Sequence, residues 1–125
     1  VKPPTVAAQE DTSRVFDEAI DAVVDAYHKL LDAGVPAEDA RYLLPNAAET
    51  KIVITMNIRE LLHFLSLRCC NRAQWEIREL ANRMLELVRP TAPYIFMDAG
   101  APCVRGVCPE GKMTCGNPYP KVVRE

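Results

Sequence analysis

Aromatic residues are scarce in this 125-residue sequence, 6% of the chain with a single tryptophan. That excludes a core of stacked rings and leaves the work to aliphatic side chains. Long apolar runs are missing too; the longest are a handful of residues, too short to cross a bilayer, so no membrane association is expected. No sign of charge dominates. The net charge is −2, with both signs spread along the chain, so there is no basic footprint for nucleic acid and no acidic tail. The N-terminal residues lack the charged, apolar and small-residue order of a signal peptide, and the expected compartment is the cytosol. An odd number of cysteines, five, fits poorly with a complete disulfide framework and favours a reducing environment. There is no internal repeat. What is present is nearly half hydrophobic, 49%, in a length that suits one domain.

The order of elements follows from periodicity and punctuation. Residues 1–11, VKPPTVAAQED, carry two prolines and read as an extended lead-in. Phe16, Ala19, Ile20, Val23, Val24, Tyr27, Leu30 and Leu31 then recur at helical spacing, with Thr12 or Ser13 as cap and Gly34 at the position of a C′ glycine. A short helix is predicted in VPAEDARYLLP, with Pro36 in its first turn and Pro45 ending it. Ile52, Val53, Ile54 and Thr55 are a β-branched run, read as a buried strand. Asn57 suits the N-cap of a helix from Ile58 to about Arg68. Asn71 is expected to cap a longer helix from about Ala73 to Arg89, in which Glu79 and Arg83 make an i,i+4 pair. Residues 90–125, rich in Gly, Pro and Cys, read as a loop-rich tail. The expected class is α+β: about four helices and one strand in a core spanning 12–89. A lone strand cannot make a sheet, so its partners are expected in another chain, in the tail or in a missing segment.

The helix opened by Asn57 is unusual in its polar content. At about 100° per residue, Arg59, His63 and Ser66 share one face, Ile58, Leu61, Leu62 and Leu65 share another, and Arg68 falls roughly opposite Arg59. One small ligand is hard to grip from both sides of a helix; two ligands, or two surfaces of an assembly, would use both arginines. Guanidinium suits phosphate and planar carbonyl or imide edges, and the helix start favours an anion. The plainer reading pairs Arg59 with Glu60 or another acid and lets Arg68 neutralise the helix C-terminus.

The blocks ARYLLP, TMNIRELLHFLSLR and AQWEIRELA resemble, in residues, order and separation, the C-terminal half of flavin-dependent thymidylate synthases, the ThyX family. The Cys-Pro-Glu-Gly tail is similar to the end found in one branch of that family. The resemblance implies a ThyX-like fold lacking its N-terminal part, and dTMP formation from dUMP and methylenetetrahydrofolate. FAD would mediate hydride transfer, NADPH would reduce the flavin, and the intact family fold would be a homotetramer. By similarity Asn57, Arg59 and His63 correspond to residues lining the FAD site, although some members carry Asn in place of His63. Arg41 and Arg68 correspond to arginines that contact dUMP, Arg68 also helping to activate the base. The family's Arg-His-Arg stretch is absent from these residues. The expectation is therefore a C-terminal portion that does not catalyse the full reaction alone. The alternative is a non-catalytic ThyX-derived nucleotide- and flavin-binding or assembly module.

Two further groups stand outside that resemblance. His28 shares the polar face of the first long helix with Asp17, Asp21, Asp25 and Asp32, a pattern that suits a divalent metal but more commonly marks a solvated face. Cys103, Cys108 and Cys115 are spaced C-x4-C-x6-C. A structural metal with Cys69, Cys70 or a histidine as fourth ligand, a disulfide, and free thiols all remain open, and no metal ligand is assigned. Cys69 and Cys70 follow Arg68, which could lower a thiol pKa; two buried thiols are the plainer case.

Overall fold

A computed structural model describes residues 1–120. The chain divides into two compact units, Val1–Val53 and Ile54–Glu125.

The first unit is built on one long helix. The prolines near the N-terminus do not hold the chain extended: Pro4 sits in the first turn of a short helix, α1 (Pro4–Ala7), where a missing N–H costs nothing. The long helix, α2, covers Glu10–Asp32, with Gln9 at the N-cap position and no side-chain cap bond there. It therefore starts ahead of Thr12 and Ser13. The Thr12 hydroxyl turns back to donate to the carbonyls of Val6 (2.8 Å) and Gln9 (3.1 Å). The Lys2 ammonium reaches Ser13 and the Asp17 carboxylate, each at 2.7 Å, and lies over the Phe16 ring. At the far end Gly34 takes a positive φ of 83°, the left-handed conformation that terminates helices. A short helix, α3 (Ala37–Ala40), and a 3-10 turn, Arg41–Leu43, pack back on α2. Ala40 is fully buried, yet no residue of α2 is; its apolar stripe is only half covered.

The expected strand does not form. No strand occurs among the described residues, and Ile52, Val53 and Ile54 are 74%, 98% and 55% exposed. A strand is stabilised by a neighbour's hydrogen bonds and by burial of its face, and this run has neither. The described chain is thus helical rather than α+β.

The second unit holds the clearest core. Helix α4 covers Ile58–Arg68, as its apolar spacing predicts. The Asn57 side-chain oxygen accepts from the Glu60 N–H at 2.9 Å. Helix α5 covers Trp75–Val88, shorter than expected at both ends. Gln74 rather than Asn71 is its cap, its side-chain oxygen accepting from the N–H groups of Glu76 and Ile77. Glu79 and Arg83 pair at 2.8 Å. Leu65 of α4 and Cys69 just after it, Ala81 and Leu85 from α5, and Phe96, Ala99, Ala101 and Cys103 form one buried cluster. Half of that cluster comes from residues beyond 90, so the tail is part of the core. It contains a helix, α6 (Pro93–Phe96), and 3-10 turns at Pro102–Val104 and Gly111–Met113. Gly100 is buried with φ at +128°, against the Leu85 side chain.

Candidate functional site

The N-terminal end of α4 gathers three of the candidate residues. Asn57, Arg59 and His63 are all exposed. Because the Asn57 oxygen is held by the Glu60 N–H, its amide NH2 is the part left to face a ligand. Arg59 makes no ion pair among the described residues, with Glu60 or any other acid. The Ser66 hydroxyl donates to the His63 carbonyl at 2.7 Å and so serves its own helix. Leu61, Leu62, Phe64 and Leu65 supply the buried and half-buried side, whereas Ile58 stays 48% exposed. The helix is therefore anchored along one stripe and offers donors on another: a terminal amide, a guanidinium and an imidazole. That donor set suits the phosphate and carbonyl oxygens of a flavin dinucleotide.

Arg68 closes the same helix. It too is exposed and without an ion pair among the described residues. It lines a cavity of about 240 Å³ formed between the end of α4, the turn into α5 and the tail. Two contacts hold that tail in place. Arg72 pairs with Glu110 at 2.8 Å, and the Asn71 side chain donates to the Asn117 carbonyl at 2.7 Å. Sequence periodicity carries no sign of this arrangement, since the tail partners lie about forty residues away along the chain.

Arg41 begins the 3-10 turn of the first unit and is exposed, with no ion pair among the described residues. It belongs to a different unit from the α4 residues.

The remaining candidates are quieter. Asp17 is engaged by Lys2, and no cluster of three metal-capable side chains is gathered among the described residues. All five cysteines are free thiols. Burial pushes the Cys69 thiol above its ordinary value, and the Arg89 guanidinium pulls it down less strongly. The charge acting on Cys69 is thus Arg89 rather than Arg68.

Residues 1–94 match the family described as thymidylate synthase complementing protein. The chain is 63% identical over 116 residues to a flavin-dependent thymidylate synthase of Geobacter sulfurreducens, covering 93% of this chain and 50% of that protein. It is 45% identical over 130 residues to the enzyme of that name from Clostridium tetani (91% of this chain, 52% of that one). For the Nitratidesulfovibrio vulgaris enzyme the identity is 48% over 130 residues (96% and 53%). The chain belongs to the flavin-dependent thymidylate synthase family. It spans about half the length of the curated relatives it matches.

Proposed function

We propose that this chain is the C-terminal portion of a flavin-dependent thymidylate synthase and contributes residues to both its flavin and its nucleotide sites. In the complete enzyme, dUMP and methylenetetrahydrofolate would give dTMP, with NADPH as the reductant of the flavin. The observation that carries this reading is the state of Arg41, Arg59 and Arg68: each is exposed and none is in an ion pair among the described residues. A packing module gains nothing from three uncommitted guanidiniums, whereas anionic substrates and cofactors require them.

Each residue then has a task. Arg59, His63 and the Asn57 amide hold FAD, which when bound supplies the hydride. Arg41 holds the nucleotide. Arg68 places a permanently charged, planar donor against the pyrimidine edge, where negative charge develops as the ring carbon becomes nucleophilic. The half-covered stripe of α2 fits burial against further chain in a homotetramer, and the expected site of action is the cytosol; among the described residues no helix is long and apolar enough to cross a membrane.

The test is a fusion of this chain behind the N-terminal half of the Geobacter sulfurreducens relative. The soluble fusion should copurify with FAD and convert dUMP to dTMP with methylenetetrahydrofolate and NADPH. The Arg59→Ala form should lose FAD, and the 125 residues alone should give no dTMP. A folded fusion with neither flavin nor turnover, or full flavin retention by Arg59→Ala, would refute these assignments.

A further inference from the structure

The cavity beside Arg68 is charged in a way that the task of Arg68 does not by itself require. Among the described residues its lining contains two guanidiniums, Arg68 and Arg72, and one carboxylate, Glu110. The carboxylate is taken by Arg72 at 2.8 Å, and Arg68 is left without an ion pair. Resting on the nucleotide role given to Arg68 above, we propose that Arg72 is a positioning residue of that site: by holding Glu110 it keeps the cavity's carboxylate off Arg68 and leaves that guanidinium to the pyrimidine.

The competition is for one set of donors. A carboxylate and the carbonyl and imide edge of a uracil both use the planar N–H fork of a guanidinium. A full negative charge is the stronger acceptor before the reaction begins, so an Arg68 paired with Glu110 would meet substrate already occupied. With Arg72 in place, two guanidiniums against one carboxylate give the cavity a net positive charge, the sign that suits charge developing on the base. The Arg72–Glu110 pair itself adds little to stability, because its side chains are 40% and 43% exposed. Its consequence lies in the contact it prevents.

Glu110 stays at the cavity when Arg72 is removed, because other contacts hold the tail. The Asn71 side chain donates to the Asn117 carbonyl at 2.7 Å, the Tyr119 N–H donates to the Cys103 sulfur at 3.4 Å, and Cys103 is buried in the core cluster. The turn that carries Arg72 is fixed separately, by the Arg78 guanidinium donating to the Asn71 carbonyl at 2.9 Å. Truncating Arg72 therefore removes a charge and leaves the wall standing.

Two measurements test this, the first independent of catalysis. The 125-residue chain is treated briefly with phenylglyoxal, an arginine-selective dicarbonyl, and modification of Arg68 is followed by peptide mass spectrometry. In Arg72→Ala, Arg68 should react about fivefold more slowly than in the wild type, the upper end for an exposed ion pair. The slowing should fade at high salt. Arg72→Ala/Glu110→Gln should return Arg68 to the wild-type rate, while Arg59 reacts equally in all three chains. The second measurement uses the fusion described above. There kcat/KM for dUMP should fall about fivefold in Arg72→Ala and recover in the double variant, with FAD content constant throughout; Glu110→Gln alone should be no worse than wild type. Circular dichroism confirms that each variant keeps its helices. Unchanged Arg68 reactivity in Arg72→Ala, or a double variant as impaired as the single one, would overturn the proposal and reduce Arg72 to a clip for the tail. A fusion without turnover counts against the nucleotide role of Arg68, while the reactivity pattern still decides whether Arg72 keeps Glu110 from it.

Discussion

Replacing Leu65 by alanine tests whether α4 is held by one stripe of side chains. Leu65 is fully buried, at 0% exposure, in the cluster that joins α4, α5 and the tail. The substitution removes three carbons. At about 0.8 kcal/mol each, the transfer loss is about 2.4 kcal/mol, and the cavity left behind raises the total to about 3–4 kcal/mol. Leu67, two residues on, is 51% exposed; its truncation opens no enclosed void and should cost about 1 kcal/mol. The single tryptophan, Trp75, opens α5, so its fluorescence reports this unit and not the first. In urea, with a slope of about 1.5 kcal/mol per M, Leu65→Ala should lower the Trp75 midpoint by about 2 M and Leu67→Ala by about a third of that. If Leu65→Ala is too unstable to measure, Leu65→Val preserves the comparison with a smaller loss. Equal shifts for Leu65 and Leu67 would refute the anchoring argument.

Three other expectations follow from single residues. Asn57→Ala removes the acceptor of the Glu60 N–H and should cost about 1 kcal/mol by the same fluorescence assay, with Asn57→Ser recovering most of it; a neutral alanine would show the cap to be dispensable. Gly100→Ala meets Leu85 at an ordinary 3.6 Å, so its cost comes from the backbone at φ +128° and should be about 1–3 kcal/mol; an unchanged urea midpoint would contradict that. In the active fusion, Arg68→Lys keeps the charge but loses the planar fork, so turnover should fall by on the order of 3 kcal/mol in barrier, more than dUMP binding weakens; equal losses in turnover and in the dUMP dissociation constant would reduce Arg68 to a binding role.

The elements that could be read from sequence are those whose causes are local. Helix Ile58–Arg68 followed from a capping asparagine and apolar spacing, and Gly34 from the left-handed turn it permits. The starts of α2 and α5 differ from those the sequence suggests because glutamines, weak cap signals, occupy both N-cap positions, Gln9 without a side-chain cap and Gln74 with one, while the better candidates Thr12 and Asn71 bond elsewhere. The run Ile52–Thr55 has strand propensity, but propensity supplies no neighbouring strand. Phe96, Ala99, Ala101 and Cys103 lie among the glycines and prolines of a segment that reads as loop, so no regular element in the sequence announces their burial. The cavity beside Arg68 was hidden for a related reason: it depends on the chain folding back from residue 110 to residue 72. Arg41, Arg59 and Arg68, which stand out in the blocks ARYLLP and TMNIRELLHFLSLR, are each exposed.

The uncovered run before α4 also has a consequence for handling the chain in isolation. Residues 52–57, Ile-Val-Ile-Thr-Met-Asn, contain no charge, no proline and no glycine. Among the described residues, no backbone hydrogen bond engages 51–56. Such a window is the usual seed of cross-strand self-association, and Lys51 and Arg59 are the flanking charges that oppose it. Turbidity on concentrating or warming the purified chain should therefore begin here, rising with ionic strength as those charges are screened. Val53, 98% exposed, is the position at which a lysine would most simply keep the chain in solution.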